Sequence, residues 1–220
     1  MADHDQRDHG EQITERFASV DSVLVLGRGP SARDPGIKPA DHDAVLVTDP
    51  TYATGDVFEG DPFAVLIGDR PESMAQVSRR YHATQPDHRP LLLYAYLPVA
   101  MQTYPVDFAA LGLPPALSVL PLLEQTDLYH YDTGRPYPTT GAFLVMVAAA
   151  LSRRTFVAGI DLYRHPSGRM YVDRQLEIGH FAWPSHHSEA IDVEHLRRAA
   201  DRLGDKLTCT GVYAQLLGAC

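Results

Sequence analysis

Cysteine is almost absent from this chain: Cys209 and Cys220 are the only two in 220 residues. That is too few for a disulfide framework, and their placement is wrong for a zinc knuckle. Cys209 is expected as a reduced core residue. Also missing is any run of about 18 apolar residues, the minimum for a membrane-spanning helix. The opening stretch MADHDQRDHGEQ is charged and polar where a secretory leader is apolar. Positive charge is scarce as well. The 28 acidic against 19 basic residues leave a formal charge of −9, and an acidic surface repels nucleic acid and anionic lipid alike. Together these absences predict a soluble, cytoplasmic protein with no nucleic-acid partner and no transmembrane segment. No internal repeat and no low-complexity tract interrupts the chain.

What the chain does have is enough apolar residue, 45%, to bury one substantial core. Residues 1–20 are rich in Asp, His, Glu and Gln and are expected as a flexible N-terminal arm; residues 21–220 are expected as one domain. Within it, continuous apolar runs stop at polar tips. Val23–Leu26 ends at Gly27, Ala44–Val47 at Thr48-Asp49-Pro50, and Phe63–Ile67 at Gly68-Asp69-Arg70. Such runs predict strands covered on both faces. Further strands are expected at Leu91–Tyr94, Leu117–Leu120 and Arg154–Gly159, and helices at Pro71–His82, Gly141–Leu151 and Ile191–Gly204. Strands alternating with helices imply an α/β, Rossmann-like fold: a mostly parallel sheet flanked by helices, with ligands at the carboxyl ends of the strands. The stretch from about 162 to 187 is polar, aromatic and histidine-rich and breaks the alternation, so it is read as a small lid.

Four motifs carry chemistry. The first, Gly27-Arg28-Gly29-Pro30-Ser31, follows a buried strand and has the character of a partial phosphate loop, because glycine lets backbone N–H groups approach an anion closely. It is not a dinucleotide fingerprint: Ala32 and Arg33 follow, the third glycine is missing, and there is no Gly-Lys-Ser/Thr. The second, Pro138-Thr139-Thr140-Gly141-Ala142, opens an apolar helix; its hydroxyls suit an N-cap, an anion site, or both. The third, Gly159-Ile160-Asp161-Leu162-Tyr163, runs off a strand, with Tyr171 eight residues beyond. Tyrosine hydroxyls can donate hydrogen bonds to a departing phosphate. The fourth is Ser185-His186-His187-Ser188-Glu189, where a histidine has the range to deprotonate a sugar hydroxyl near neutral pH. A metal site built from His180, His186 and His187 lacks the H-E-x-x-H or cysteine pattern that would support it.

In this order, the four motifs resemble the small bacterial CMP-sialic acid-dependent sialyltransferases related to the Campylobacter lipooligosaccharide enzymes. The resemblance runs from about Val23 to Leu217 and leaves about 70–130 unmatched. It implies a single nucleotide-binding domain with a lid. The activity it implies is metal-independent, inverting transfer of sialic acid or a related nonulosonic acid from its CMP-activated donor to an acceptor hydroxyl. On this resemblance His187 is the general base, and Tyr163 and Tyr171 stabilise the departing CMP phosphate. Thr139, Thr140 and Gly141 hold the donor carboxylate and phosphate, Gly159, Ile160 and Asp161 form the cytidine-binding strand end, and Gly27, Arg28, Gly29, Pro30, Ser31 and Asp49 complete the donor site. No cofactor is implied beyond the CMP-sugar itself, and by analogy a homo-oligomer is expected.

The chain also departs from the family. Arg28 stands where the family commonly has Asn, adding full charge beside a phosphate. Asp49 replaces another Asn; beside an anionic donor a carboxylate is favourable only toward ribose hydroxyls. Tyr137 occupies the place of an Arg, with Arg135 nearby, and the lid is shorter. These departures keep two other readings in view: a CMP-sugar hydrolase or a transferase with a small-molecule acceptor, and a nucleotide-binding protein without turnover.

Overall fold

The computed structural model describes residues 3–55, 57–68, 71–95, 107–132, 135–162 and 187–218, the side chains of 3–8 and 71–73 excepted. Seven strands form one sheet: β1 (Ser22–Leu26), β2 (Ala44–Thr48), β3 (Ala64–Ile67), β4 (Leu91–Tyr94), β5 (Leu117–Ser118), β6 (Arg154–Ala158) and β7 (Leu207–Cys209). Every pairing is parallel, in the order β5-β4-β3-β2-β1-β6-β7. Among the described residues seven α-helices accompany them: α1 (Asp3–Arg16), α2 (Asp49–Thr54), α3 (Pro71–Ala83), α4 (Leu120–Gln125), α5 (Thr140–Ala150), α6 (Glu189–Leu203) and α7 (Gly211–Leu217). This is the α/β, Rossmann-like arrangement expected from the alternating pattern.

The central strands β1, β2 and β3 are almost wholly apolar and buried because both faces are covered. Val23 and Val25 of β1 point into one core layer, Leu24 and Leu26 into the other, and Leu46 against Val45 and Val47 of β2 divide in the same way. The first layer is filled by α5, whose residues Ala142 to Ala150 are all buried. A helix that is apolar all round needs neighbours on every side. Here they are β1, β2, β3 and β6 on one flank and α6 on another.

The N-terminal segment is a correction. It is not a loose arm: residues 3–16 form α1, and Ile13, Phe17 and Val20 are buried in the first core layer. The Phe17 ring centroid lies 4.6 Å from that of Phe63. Ile13 lies on α1, while Phe17 and Val20 follow in the turn after it, so a segment of low mean hydropathy still docks through three apolar residues. At the sheet edge, the Ser118 N–H donates to His9 Nδ1 at 3.0 Å, so α1 covers β5, an edge that would otherwise offer unpaired backbone groups. Strand β5 is shorter than expected, since Leu120 opens α4 instead of ending the strand. Cys209 lies in the edge strand β7, partly buried and packed against the core.

From β1 the chain steps outward through β2 to β5, then returns to the other side of β1 as β6 and β7. The order reverses between β1 and β6, the place where open α/β sheets form a crevice at their carboxyl edge. Among the described residues no helix is long and apolar enough to cross a membrane.

Candidate functional site

At the carboxyl end of β1 the glycine turn continues the sheet. The Gly27 N–H donates to the Ala158 carbonyl and the Gly29 N–H to the Gly159 carbonyl, each at 2.8 Å. The Ser31 N–H donates to Asp161 Oδ2 at 2.8 Å, and Ser31 Oγ accepts the Gly159 N–H at 2.9 Å. A Cβ on Gly27 would fall on the Gly159 carbonyl oxygen, and one on Gly29 on the Asp161 carboxylate. Gly159 itself sits at φ +74°, in the left-handed region that favours glycine. The glycines are thus explained by the close approach of two strand tips. The turn therefore differs from the expected phosphate loop: three of its N–H groups are engaged within the protein. Arg28 is half-buried at its apex, and Pro30 opens a short 3-10 turn that runs to Arg33.

Asp161, only 4% exposed, also accepts the Val212 N–H at 3.2 Å. Its carboxylate therefore joins the glycine turn to the first turn of α7, where a negative charge complements the helix dipole. The aspartate expected at a cytidine-binding strand end is placed as an internal clamp.

A second group of residues gathers one strand over. Asp49, the first residue of α2 and 2% exposed, accepts the Gly68 N–H at 3.1 Å. A Cβ on Gly68 would lie 3.2 Å from both Asp49 Oδ1 and Thr140 Oγ1. The tips of β2 and β3 therefore meet the first turn of α5. Ile160 closes the gap to the glycine turn: its Cδ1 would meet a Cβ placed on either Gly27 or Gly141.

The third group ties α5 to α6. Thr139 is the N-cap of α5, its Oγ1 accepting the Ala142 N–H at 3.4 Å, and Ser188 caps α6 by accepting the Ile191 N–H at 3.2 Å. Both the N–H and the hydroxyl of Thr139 donate to the carboxylate of Asp192, at 2.8 and 2.7 Å. Burial pushes the Asp192 carboxyl up to about 6; the two Thr139 bonds pull it down and the Glu189 charge adds to the rise. Just before the Ser188 cap, half-buried His187 makes a 2.9 Å hydrogen bond from Nδ1 to the Tyr137 carbonyl. The two rings meet edge to face, 4.7 Å between centroids. A carbonyl can only accept, so Nδ1 carries the proton and the lone pair of the neutral imidazole lies on Nε2. That is the form a general base requires.

No protein-family model and no curated protein matches this chain. The structure thus brings Asp49, Thr139, Thr140, Gly141, Ile160 and His187 to linked positions at the carboxyl edge. Tyr163 and Tyr171, with His180 and His186, fall at 163–186, outside the described residues, as does nearly all of the expected lid. Arg135, considered as a stand-in for the family's arginine, is exposed, with its Nε 4.0 Å from Asp132 Oδ2. Sequence reasoning gave Asp192 no role, although a signal exists. Residues 192, 195, 196, 199 and 203 form the buried stripe of α6, and a carboxylate on such a stripe demands a donor. The Tyr137 carbonyl, a backbone group, leaves no mark in residue types.

Proposed function

We propose that this chain is an inverting, metal-independent glycosyltransferase that moves sialic acid or a related nonulosonic acid from its CMP-activated donor to an acceptor hydroxyl. The observation that carries this reading is the Nδ1–H of His187 held on the Tyr137 carbonyl, beside the first turn of α5. The neutral ring then offers Nε2 to an incoming hydroxyl. As that proton passes to Nε2, the acceptor oxygen attacks the anomeric carbon from the face opposite the phosphate. The bond from the anomeric carbon to the phosphate oxygen breaks, and CMP leaves with the electron pair.

The donor is anionic, and the partial positive charge at the N-terminus of α5 favours its carboxylate or phosphate there. Thr140, on that first turn and close to Gly68, is assigned to the sugar carboxylate. By resemblance, Tyr163 and Tyr171 donate to the departing phosphate, whose low basicity lets hydrogen bonds suffice. Since three N–H groups of the glycine turn are engaged, phosphate recognition falls to α5 and to Arg28.

The test is CMP release from CMP-sialic acid across a panel of sugar acceptors. His187→Ala should lower turnover roughly 10²- to 10⁴-fold and leave CMP affinity unchanged. Unaltered turnover overturns the assignment of the base, and release that proceeds equally without acceptor makes the chain a hydrolase.

A further inference from the structure

Two pieces of chain far apart in sequence are held to each other by hydrogen bonds at Tyr137 and Thr139. One is the extended lead into α5, Tyr137-Pro138-Thr139; the other is the turn that starts α6, from His187 to Asp192. Between them His187 grips the Tyr137 carbonyl at 2.9 Å and Asp192 grips the Thr139 N–H and hydroxyl at 2.8 and 2.7 Å. Pro138, between the two contacts, is buried and has no N–H. The Asp192 point is the deeper. Its carboxylate is 2% exposed, and hydrogen bonds to a buried charge are among the strongest a protein makes. The His187–Tyr137 hydrogen bond joins neutral groups at the half-buried rim, which makes it the weaker of the two contacts.

We infer that Asp192 is the positioning residue for His187: by anchoring Thr139 it fixes the Tyr137 carbonyl where Nδ1–H meets it, and so holds the imidazole in the tautomer whose lone pair lies on Nε2. The inference rests on His187 as the base of the proposed reaction, but the tautomer can be read without any substrate. Without the anchor, the lead into α5 shifts relative to Ser188, the Nδ1 bond lengthens, and the ring reverts toward the Nε2–H form that a solvated imidazole favours. The same loss would move the ring relative to Thr140 and Gly141.

Nitrogen-15 NMR of the full-length protein, with selectively labelled histidine and His187→Gln used to assign the signal, reads the tautomer directly. The wild-type protein should show His187 locked with the proton on Nδ1. Asp192→Ala should shift the pattern toward Nε2–H while the protein still unfolds cooperatively. Asp192→Asn keeps an oxygen for the Thr139 N–H and an amide for its hydroxyl, and should retain the wild-type pattern. Should Asp192→Ala fail to fold, Thr139→Val carries the test: it removes the hydroxyl bond alone and should shift the pattern part of the way, with Thr139→Ser restoring it. An unchanged His187 signal in folded Asp192→Ala, or in Thr139→Val, overturns the inference whether or not the protein transfers a sugar. Where transfer is measured, Asp192→Ala should lower kcat about 10²-fold, the scale of a misplaced group, with donor KM little changed. A shifted tautomer with no transfer in the wild-type protein would sustain the positioning role and defeat the transferase reading instead.

Discussion

Asp192 ionises at a cost. Its carboxyl is pushed up to about 6 by burial, against an ordinary 3.8 in the unfolded chain. Between those values the folded protein holds the proton more tightly than the unfolded one. The stabilising contribution is therefore complete below about pH 4 and is lost as pH rises through about 6, a change on the order of 3 kcal/mol. Asp192→Asn cannot ionise and removes this slope. In urea unfolding at pH 4.5 and 7, the variant should gain about 2 kcal/mol on the wild-type protein between the two conditions; an equal difference at both would contradict the buried, ionised carboxylate. The glycines teach the opposite lesson at this scale. Gly27 and Gly29 are conspicuous in the sequence, but residue types do not say whether a glycine admits a ligand or a neighbouring strand. Here their N–H groups are engaged by the Ala158 and Gly159 carbonyls.

Among the elements, α1 is the one that the composition concealed. The docking of α1 and of the turn after it rests on Ile13, Phe17 and Val20, with Phe17 fully buried against Phe63. Phe17→Ala should therefore cost about 3–5 kcal/mol in chemical denaturation, as for a core phenylalanine; no loss would return the segment to the status of a loose arm. The strands were legible because a parallel strand buried on both faces is a short, uninterrupted apolar run, and β1, β2, β3 and β4 are built around such runs, while β6 keeps one only in its last three residues. Helix α5 was legible for the same reason, being apolar along its whole length. Strand β7, three residues long and only partly buried, carries no such signal, and α7 depends on the Asp161 clamp across the fold. Long-range partners of this kind have no local signature.

For the molecule as a whole, the parallel order reverses between β1 and β6, and the sequence motifs fall at the carboxyl edge of the sheet because each follows a strand end or opens a helix. Placement at that edge was thus legible, whereas the division of labour was not. Asp161 and the glycine turn brace the edge, while Thr139, Thr140 and His187 line up along the starts of α5 and α6. For the proposed anionic donor, a chain of formal charge −9 offers no long-range attraction, so on that proposal affinity comes from local contacts at α5 and Arg28. Calorimetric titration with CMP, UMP, GMP and CMP-sialic acid, with and without magnesium, tests the central claim most directly. Selective binding of CMP and CMP-sialic acid, indifferent to magnesium, is the result the account predicts; equal binding of the three nucleotides, or none of them, would contradict it.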